Sequence, residues 1–413
     1  MPREADHVTA RAEELARAAY GRLLAILAAR DGDIEAAEDA LADAFAQALE
    51  SWPGAGVPRN PEAWLLTVAR NRLRDVRRSA AHRLSDPLDD SHDSALSVMD
   101  TLDPDAIPDR RLALLFVCAH PAIDPVVRTP LMLQTVLGFD AEQIARAFAI
   151  PPATMAQRLV RAKRRIRDAR IPFVVPERDS LQERIAPVLE AIYGAYAIDF
   201  PLVAGPELRD SLATESHVLA MTVAELLPDE PEALGLAALI SLSLARRDAR
   251  GTAHIFVPLD EQDPTLWDAT LIGLGERYLR AARALGRTGR FQIEAAIQSA
   301  HCARATSGVT DWRALLTLHA ALIAIAPTLG ARVAHAAAVG RVHGAEAGLA
   351  ALDAIADKAT QRFQPAWAAR AHLLAQAGRT KDARQAYERA ISLTTDVGAR
   401  RYLELRRADD ARG

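Results

Sequence analysis

The chain has 413 residues, half of them hydrophobic and 5% aromatic, which is enough for two or three domains with sizeable cores. Its formal net charge of −4 argues against a general polyanion binder. Alanine and leucine dominate, a balance that favours helices packed through small residues over β-sandwiches. We therefore expect an all-α fold. The best strand candidate, residues 254–259, contains Pro258 and is interpreted as a loop.

Three features of the sequence indicate a cytoplasmic protein. The first ten residues, MPREADHVTA, lack an apolar signal core, and the longest apolar run, residues 233–245, is too short to span a bilayer. The two cysteines, Cys118 and Cys302, form no disulfide framework, which is typical of a reducing compartment. We expect a cytoplasmic protein that has no membrane partner.

The first predicted domain, residues 1–80, contains an acidic helix. Residues 31–50 carry seven acids and no lysine or arginine. Apolar residues at helical spacing predict a helix over 34–50, with acids at four-residue spacing on its outer face. These acids cannot favour DNA but can pair with a basic protein surface, unless they serve only solubility. The outer-face acids are Glu35, Asp39 and Asp43.

A basic helix follows in the same domain. After a loop rich in proline and glycine at 52–60, Asn60 is the predicted N-cap and Pro61 the first residue of a helix that runs to about Ser79. Its arginines can follow a phosphate backbone, although one basic helix is weak evidence by itself. The basic face contains Arg70, Arg74 and Arg77, and the packed face contains Leu65, Ala69, Leu73 and Val76.

Residues 81–108 differ in composition from both neighbours. Eight aspartates fall between positions 82 and 109 with little hydrophobic patterning, which predicts a flexible acidic linker. A plain solvated tether is the alternative to a linker with a binding role.

The second predicted domain, residues 109–172, contains a helix-turn-helix. Asp140 caps a first helix, AEQIARAFAI, two prolines make the turn, and the second helix is ATMAQRLVRAKRRIRDAR. Residues 155–170 hold seven bases against one acid. A helix with an apolar stripe and an adjacent arginine row fits the major groove of DNA, whereas the alternative is a solvated basic helix. The stripe contains Met155, Leu159, Ala162 and Ile166, and the row beside it contains Thr154, Arg158, Arg161 and Arg165.

The third predicted domain, residues 173–413, is helical throughout. Its final segment matches one tetratricopeptide-like repeat, in which small residues let two helices approach and aromatics fill the gap. A weaker match covers residues 331–358, and no strict period is visible upstream. The alternative is a helical domain that only packs on the front of the chain. The residues at the repeat offsets are Trp367, Ala371, Leu374, Gly378, Ala383, Tyr387 and Ala390.

Motifs of enzymes and metal sites are missing from the sequence. It has no phosphate-binding glycine loop, no H-E-x-x-H and no G-x-S-x-G. The pairs Cys118–His120 and His301–Cys302 each lack the second ligand pair of a zinc site, which favours ordinary core packing. We expect no enzymatic activity, no cofactor and no metal.

Taken in order, these segments resemble the extracytoplasmic-function (ECF) sigma factors of the sigma-70 family, which direct RNA polymerase to promoters. The resemblance rests on AAEDALADAFAQALESW, then NPEAWLLTVARNRLRDVRR, then the helix-turn-helix, and it covers about residues 10–172. The stretch FVCAHPAI, the link RIPFVVP and the long tail are similar to the subgroup with a C-terminal tetratricopeptide-like extension. The resemblance implies an alternative sigma factor whose tail modulates its activity.

The resemblance also implies a role for each domain. Residues 1–80 would be sigma region 2, whose acidic helix docks on the clamp helices of the polymerase β′ subunit. The basic helix and the 52–60 loop would hold the single-stranded −10 element, with one base flipped into the loop. Residues 109–172 would be region 4, which reads the double-stranded −35 element, and the 81–108 linker would thread through the polymerase channel. The implied partners are core RNA polymerase, through β and β′, promoter DNA, and an unknown protein or peptide for the tail.

The implied site residues fall into three groups. Those for the polymerase are Glu35, Asp39 and Asp43. Those for the −10 region are Arg59, Asn60, Arg70, Asn71, Arg74, Arg77 and Arg78. Those for the −35 region are Thr154, Gln157, Arg158, Arg161, Arg164 and Arg165. The alternative is a helix-turn-helix regulator on a helical-repeat scaffold that does not engage polymerase, and the acidic helix distinguishes the two, because only a sigma factor needs it.

Overall fold

The computed structural model contains only helices, turns and irregular segments in its described part, which confirms the all-α prediction. The chain divides into two compact units, residues 1–198 and residues 199–413. None of the described helices is long and apolar enough to cross a membrane. The described residues are 19–29, 32–84, 106–148, 150–174, 176, 178–197, 206–251, 256–394 and 396–409.

The first unit, which we call the front unit, contains eight helices in its described part. They are α1 (19–29), α2 (Ile34–Ala55), α3 (Pro61–Leu84), α4 (Ala106–Cys118), α5 (Pro125–Thr135), α6 (Ala141–Ala147), α7 (Pro152–Asp168) and α8 (Arg178–Ala197).

Polar side chains begin these helices where the sequence predicts. The Asn60 carboxamide oxygen accepts a hydrogen bond from the Ala63 N–H at 3.1 Å, which makes Asn60 the N-cap of α3. Asp140 accepts from the Gln143 N–H at 2.7 Å, and the Gln143 side chain accepts from the Asp140 N–H at 2.9 Å. This reciprocal capping box starts α6.

Three predicted boundaries differ from the structure. Helix α2 continues past residue 50 to Ala55, so the predicted 52–60 loop is shortened to 56–60. The buried Trp52 holds this last turn against α3 through an edge-on contact with Trp64, at 5.5 Å between ring centroids. The predicted 81–108 linker is helical at both ends, because α3 ends at Leu84 and α4 begins at Ala106. Residues 85–105 lie outside the described part.

The third difference concerns α8, which the sequence assigned to the tail. Helix α8 packs on α4 and α5, and the contact boundary therefore lies after residue 198 and not at 172/173. Val188, Leu189 and Ile192 are buried on α8. Removal of this helix would expose the core of the front unit.

Helix α1 is surrounded by the rest of the front unit. Six consecutive residues from Leu23 to Ala28 are buried, so every face of the helix is covered. A Cβ atom at Gly21 would collide with the carbonyl oxygen of Val136, at the end of α5. Backbone from the first and second predicted domains is therefore in direct contact at this point.

The second unit is described by eleven α-helices and three short 3₁₀ helices. The α-helices are α9 (Pro206–Leu226), α10 (Pro231–Leu244), α11 (Ala269–Ala284), α12 (Arg290–Cys302), α13 (Arg304–Ser307), α14 (Trp312–Ile325), α15 (Leu329–His343), α16 (Ala345–Asp353), α17 (Gln364–Gln376), α18 (Thr380–Leu393) and α19 (Val397–Asp409). The 3₁₀ helices are Asp248–Arg250, Pro264–Leu266 and Lys358–Arg362.

The last hairpin, α17–α18, follows the predicted small-residue pattern. Ala371, Ala383 and Ala390 are fully buried, and Tyr387 fills the space between the helices at 3% exposure. Gly378 makes the turn with φ 72°, a conformation that glycine adopts without strain. Of the strand candidate 254–259, the described residues 256–259 form no strand, as the loop interpretation expects.

Candidate nucleic-acid interface

Helices α6 and α7 form a two-helix unit with one buried side. Pro151 is the N-cap of α7, and Pro152 is its first residue. The predicted apolar stripe is buried, with exposures between 0% and 5% at Met155, Leu159, Ala162 and Ile166. The burial of this stripe fixes which face of α7 points to solvent.

The outward face of α7 carries the predicted polar row. Gln157, Arg161, Arg164 and Arg165 are exposed, and Thr154 and Arg158 are half-buried. The Arg161 Nε donates to the Gln157 carbonyl at 3.3 Å, along the helix axis. Guanidinium groups on an exposed helix face can bind guanine edges or phosphates.

Helices α2 and α3 form a hairpin of opposite charge. On α2, Asp39 and Asp43 are exposed, and Asp43 accepts a hydrogen bond from the Arg72 Nε of α3 at 2.6 Å. Both side chains of this pair are about half exposed, at 55% for Arg72 and 53% for Asp43. Water therefore screens the pair, and an external partner can compete for either group.

The basic side of α3 extends from the loop at 56–60 along the helix. The exposed members of the predicted −10 group are Arg59, Asn60, Asn71 and Arg78, and the half-buried members are Arg70, Arg74 and Arg77. The packed face of α3 differs from the prediction at two positions. Val76 is 51% exposed and was wrongly assigned to it, whereas Leu66, which the pattern omitted, is buried beside Leu65.

The acidic helix α2 and the basic helix α7 are in contact, which the sequence did not predict. The Lys163 Nζ lies 2.5 Å from Oε2 of Glu38, with the two side chains only 6% and 18% exposed. The other carboxylate oxygen of Glu38, Oε1, is buried and has no hydrogen-bond partner among the described residues. Burial raises the pKa of Glu38, and the charge of Lys163 opposes this effect.

Further ion pairs surround the pair of Lys163 and Glu38. We call the whole set of ion pairs between the two helices the α2–α7 contact. Arg164 Nε lies 3.6 Å from Glu35, and Arg167 Nη1 lies 3.7 Å from Glu35 and 3.8 Å from Asp33. The contact thus occupies Glu35 from the predicted polymerase group and Arg164 from the predicted −35 group. The sequence held a signal for the burial of Lys163 but not for its partner, because Lys163 lies four residues after Leu159 and so borders the apolar stripe.

The cysteine and histidine pairs considered for zinc lie in ordinary packing. Cys118 is fully buried, its Sγ lies 3.4 Å from Thr135 Oγ1, and burial raises its pKa to about 12. Cys302 is also buried and contacts the Leu242 carbonyl at 3.7 Å. Within the described residues, no group of three or more His, Cys, Asp or Glu side chains is placed to hold a metal ion.

The second unit contains a cavity of about 260 Å³ bounded by α14, α15 and α17. Alanines of α15 form one wall, and Trp312, His301 and His319 form another. Burial lowers the pKa of His301 to about 3 and that of His319 to about 4. Nδ1 of His319 is buried and has no hydrogen-bond partner in the described structure.

Comparison with known proteins finds two family matches, in different parts of the chain. Sigma-70 region 2 matches residues 15–83. A family of unknown function, DUF6596, matches residues 184–283, from within α8 to the end of α11. No solved structure matches the chain.

Two relatives extend this comparison. An uncharacterized protein of Rhizobium meliloti (strain 1021) is 35% identical over 379 residues, which are 90% of this chain and 89% of that protein. A probable ECF RNA polymerase sigma factor, SigI, of Mycobacterium tuberculosis is 30% identical over 145 residues, which are 34% of this chain. The match spans about half of SigI, at 49% of its length.

The region 2 match covers the acidic and basic hairpin α2–α3 and supports a helical transcription factor. The chain belongs to the family of the Rhizobium meliloti protein, and the region 2 match together with the similarity to SigI supports a sigma-70 family sigma factor. A sigma-70 family sigma factor implies binding to core RNA polymerase and to promoter DNA. Sigma factors are transcription factors without enzymatic activity.

Proposed function

We propose that this protein is an alternative sigma factor of the ECF type, with a C-terminal domain that modulates its activity. The α2–α3 hairpin within the region 2 match carries the proposal, because it places an acidic and a basic surface side by side. The similarity to SigI over the front of the chain supports the ECF assignment. The tail would be a tetratricopeptide-like helical domain, which the buried small residues of α17–α18 support.

Each surface has one proposed partner. Helix α2 docks on the polymerase β′ subunit through Glu35, Asp39 and Asp43. Helix α3 and the 56–60 loop hold the −10 element through Arg59, Asn60, Arg70, Asn71, Arg74, Arg77 and Arg78. Helix α7 reads the −35 element through Thr154, Gln157, Arg158, Arg161, Arg164 and Arg165. The predicted 81–108 linker, which joins the two DNA-binding modules in the sequence, would thread through the polymerase channel. The cavity of the second unit is the proposed site for a protein or peptide partner.

Transcription in vitro tests the proposal directly. Purified core polymerase is combined with this protein and with DNA from upstream of its own gene and of neighbouring genes. We expect transcripts that depend on the added protein, and core binding measured in the same reactions. Binding of DNA without any binding of core polymerase would instead identify a helix-turn-helix regulator that acts without polymerase.

Charge reversal on α2 tests the docking surface. The double substitution Asp39→Lys, Asp43→Lys should abolish core binding, because it places positive charge against a basic partner. Glu50→Lys, on the exposed end of the same helix, is the matched control and should bind normally. Core binding by the double variant at wild-type strength would contradict the docking assignment.

Truncation tests the tail, and the structure determines where to cut. A chain that ends at residue 198 keeps α8 and the core of the front unit. We expect its promoter-specific transcription to differ from that of the full chain. Unchanged transcription would contradict a modulating role for the tail.

A further inference from the structure

A short segment of the second unit is held in place by helices that come later in the chain. We call residues 256–262, which lie between α10 and α11, the strap. The Glu261 N–H donates to the Pro258 carbonyl at 2.9 Å, so the middle of the strap is a tight turn. Leu259 is half-buried, and Gln262 is the one strap residue that is buried. The strap therefore adds little apolar surface to the core.

One arginine binds the main chain of the strap. Arg304 of α13 donates to the carbonyl oxygens of Asp260 and Gln262, at 2.6 Å each. The guanidinium carbon of Arg304 lies 5.0 Å from the ring centre of Trp267, and this cation–π contact holds the group in position. Every residue has a backbone carbonyl, so Arg304 can hold any peptide that follows the same path.

Two further arginines bind the acidic side chains of the strap. Arg341 of α15 pairs with the Asp260 carboxylate, and Arg406 of α19 pairs with the Glu261 carboxylate. The Tyr402 hydroxyl lies 3.3 Å from the same Glu261 oxygen. A guanidinium matches the geometry of a carboxylate, so these two positions select acids.

Aromatic rings also hold these two arginines. The guanidinium carbon of Arg341 lies 4.8 Å from the Trp312 ring centre, and that of Arg406 lies 5.3 Å from the Tyr402 ring centre. The Arg406 Nε donates to the Tyr402 hydroxyl at 3.0 Å. None of these contacts involves the strap. The arginines are therefore positioned independently of it, and a site that is already formed binds a ligand at a lower entropic cost.

The strap satisfies this site incompletely. The side chains of the two acid–arginine pairs are 31% to 43% exposed, so other charges can replace either partner. Arg304 Nε, Gln262 Oε1 and His319 Nδ1 are buried and have no hydrogen-bond partner among the described residues. Leu259 and Asp260 line the cavity bounded by α14, α15 and α17, together with His319. A ligand that pairs these atoms and fills the cavity would gain free energy that the strap does not.

We propose that the second unit binds an acidic peptide of a partner protein, in which an apolar residue is followed by two acids, and that this peptide displaces the strap. The inference rests on the proposed role of the second unit in partner binding. The apolar side chain enters the cavity, and the acids take the places of Asp260 and Glu261. Arg304 holds the main chain of the peptide. The strap is an internal competitor that lowers the apparent affinity for the partner.

Fluorescence anisotropy of the full chain with a labelled synthetic peptide tests the site. The probe is FVPLDEQD, the sequence of residues 256–263, and a matched probe, FVPLNQQD, has amides in place of two acids. The double variant Asp260→Asn, Glu261→Gln should bind the acidic probe about tenfold more tightly than wild type, because its own strap no longer pairs with the arginines. Glu404→Gln, at an exposed position of α19, is the control and should bind like wild type. No gain in the double variant, or equal binding of both probes, would overturn the proposal.

A third substitution in the double variant locates the bound probe. Arg406→Gln should cancel the tenfold gain, whereas Arg401→Gln, at an exposed position of the same helix, should retain it. A gain that survives Arg406→Gln would place the probe elsewhere and refute the site.

Hydrogen exchange in the wild-type chain gives a readout that needs no substitution. The amides of Glu261 and Gln262 both donate to the Pro258 carbonyl, and the probe should speed up their exchange when it displaces the strap. Binding of the probe without faster exchange at these two amides would contradict displacement.

The two proposals fail separately, because probe binding is measured without polymerase. If the probe binds as expected and core polymerase does not, the sigma assignment fails and the peptide site stands. If the protein directs transcription and neither the wild type nor the double variant binds the probe, the sigma assignment stands and the peptide site is refuted. Wild-type dimers that Arg406→Gln dissociates would assign the site to the strap of a second copy and overturn the external partner.

Discussion

The α2–α7 contact and the α17–α18 hairpin join helices in opposite ways. The α17–α18 interface is apolar and is built from alanines that bring the backbones close, with Tyr387 between them. The α2–α7 contact is built from charges, and its central carboxylate is only half satisfied. Burial of apolar surface depends little on partners or salt, whereas ion pairs can be exchanged for other charged groups. The first kind of interface suits a permanent scaffold, whereas charges from another molecule can compete for the groups of the second.

Of the changes predicted here, truncation of the Tyr387 side chain should lower the free energy of unfolding most. Tyr387→Ala leaves a cavity between α17 and α18, and we expect the free energy of unfolding of the second unit to fall by about 4 kcal/mol. Chemical denaturation of the full chain, followed by hydrogen exchange in α17 and α18, measures it. Leu405→Ala is the control, because Leu405 is 59% exposed. A loss below about 1 kcal/mol would mean that the hairpin is held by other contacts.

Acid should weaken the second unit through its buried histidines. The folded pKa values of His301 and His319 are about 3 and about 4, below the ordinary value of 6.5, because burial disfavours their charged forms. As the pH falls below 6.5, the unfolded chain takes up protons first. The stability that the neutral histidines provide above pH 6.5 is therefore lost as the pH falls towards 4. Between pH 7 and pH 5, the free energy of unfolding of the second unit should fall by about 2 kcal/mol per histidine.

Chemical denaturation at pH 7 and at pH 5 measures this loss of stability. His301→Gln should reduce the pH dependence, whereas His343→Asn, at an exposed position, should leave it unchanged. Equal stability of the second unit at pH 7 and pH 5 would show that these imidazoles titrate normally in the folded protein.

Removal of the buried lysine should cost less than either of these changes. Lys163→Met leaves the Glu38 carboxylate without its partner, but the Glu38 side chain is 18% exposed and keeps some access to water. We expect the free energy of unfolding of the front unit to fall by about 2 kcal/mol. The second substitution Glu38→Leu should restore most of it, because an apolar pair can replace a buried ion pair. A larger loss in the double variant than in Lys163→Met would contradict this account.

The exposed pair between α2 and α3 should matter least. Arg72→Met removes the partner of Asp43, and both groups are about half exposed. We expect a change in the free energy of unfolding of less than about 1 kcal/mol, which falls further in high salt. If Arg72→Met lowered the free energy of unfolding as much as Lys163→Met, exposure would not explain a difference between the exposed Arg72–Asp43 pair and the buried Lys163–Glu38 pair.

Local features of the fold could be predicted from the sequence, and pairings between distant segments could not. The caps at Asn60 and Asp140 and the apolar stripe of α7 depend on neighbours within four residues, so spacing alone reveals them. The position of α8 in the front unit depends on α4 and α5, which its own sequence does not specify. The residues of the candidate site show the same difference between local features and distant pairings. The arginine row of α7 was predicted, but the pairing of Lys163 with Glu38 was not, because a helical pattern gives the face of a residue and not its partner.

The burial of both thiols limits how this protein can respond to its surroundings. Burial raises the pKa of the Cys118 thiol to about 12, which disfavours the thiolate, and the thiolate is the form that oxidants attack. Cys302 is also buried, with its pKa raised by desolvation. These are the two cysteines of the chain. Peroxide or a disulfide reagent therefore meets no exposed thiol while the protein stays folded.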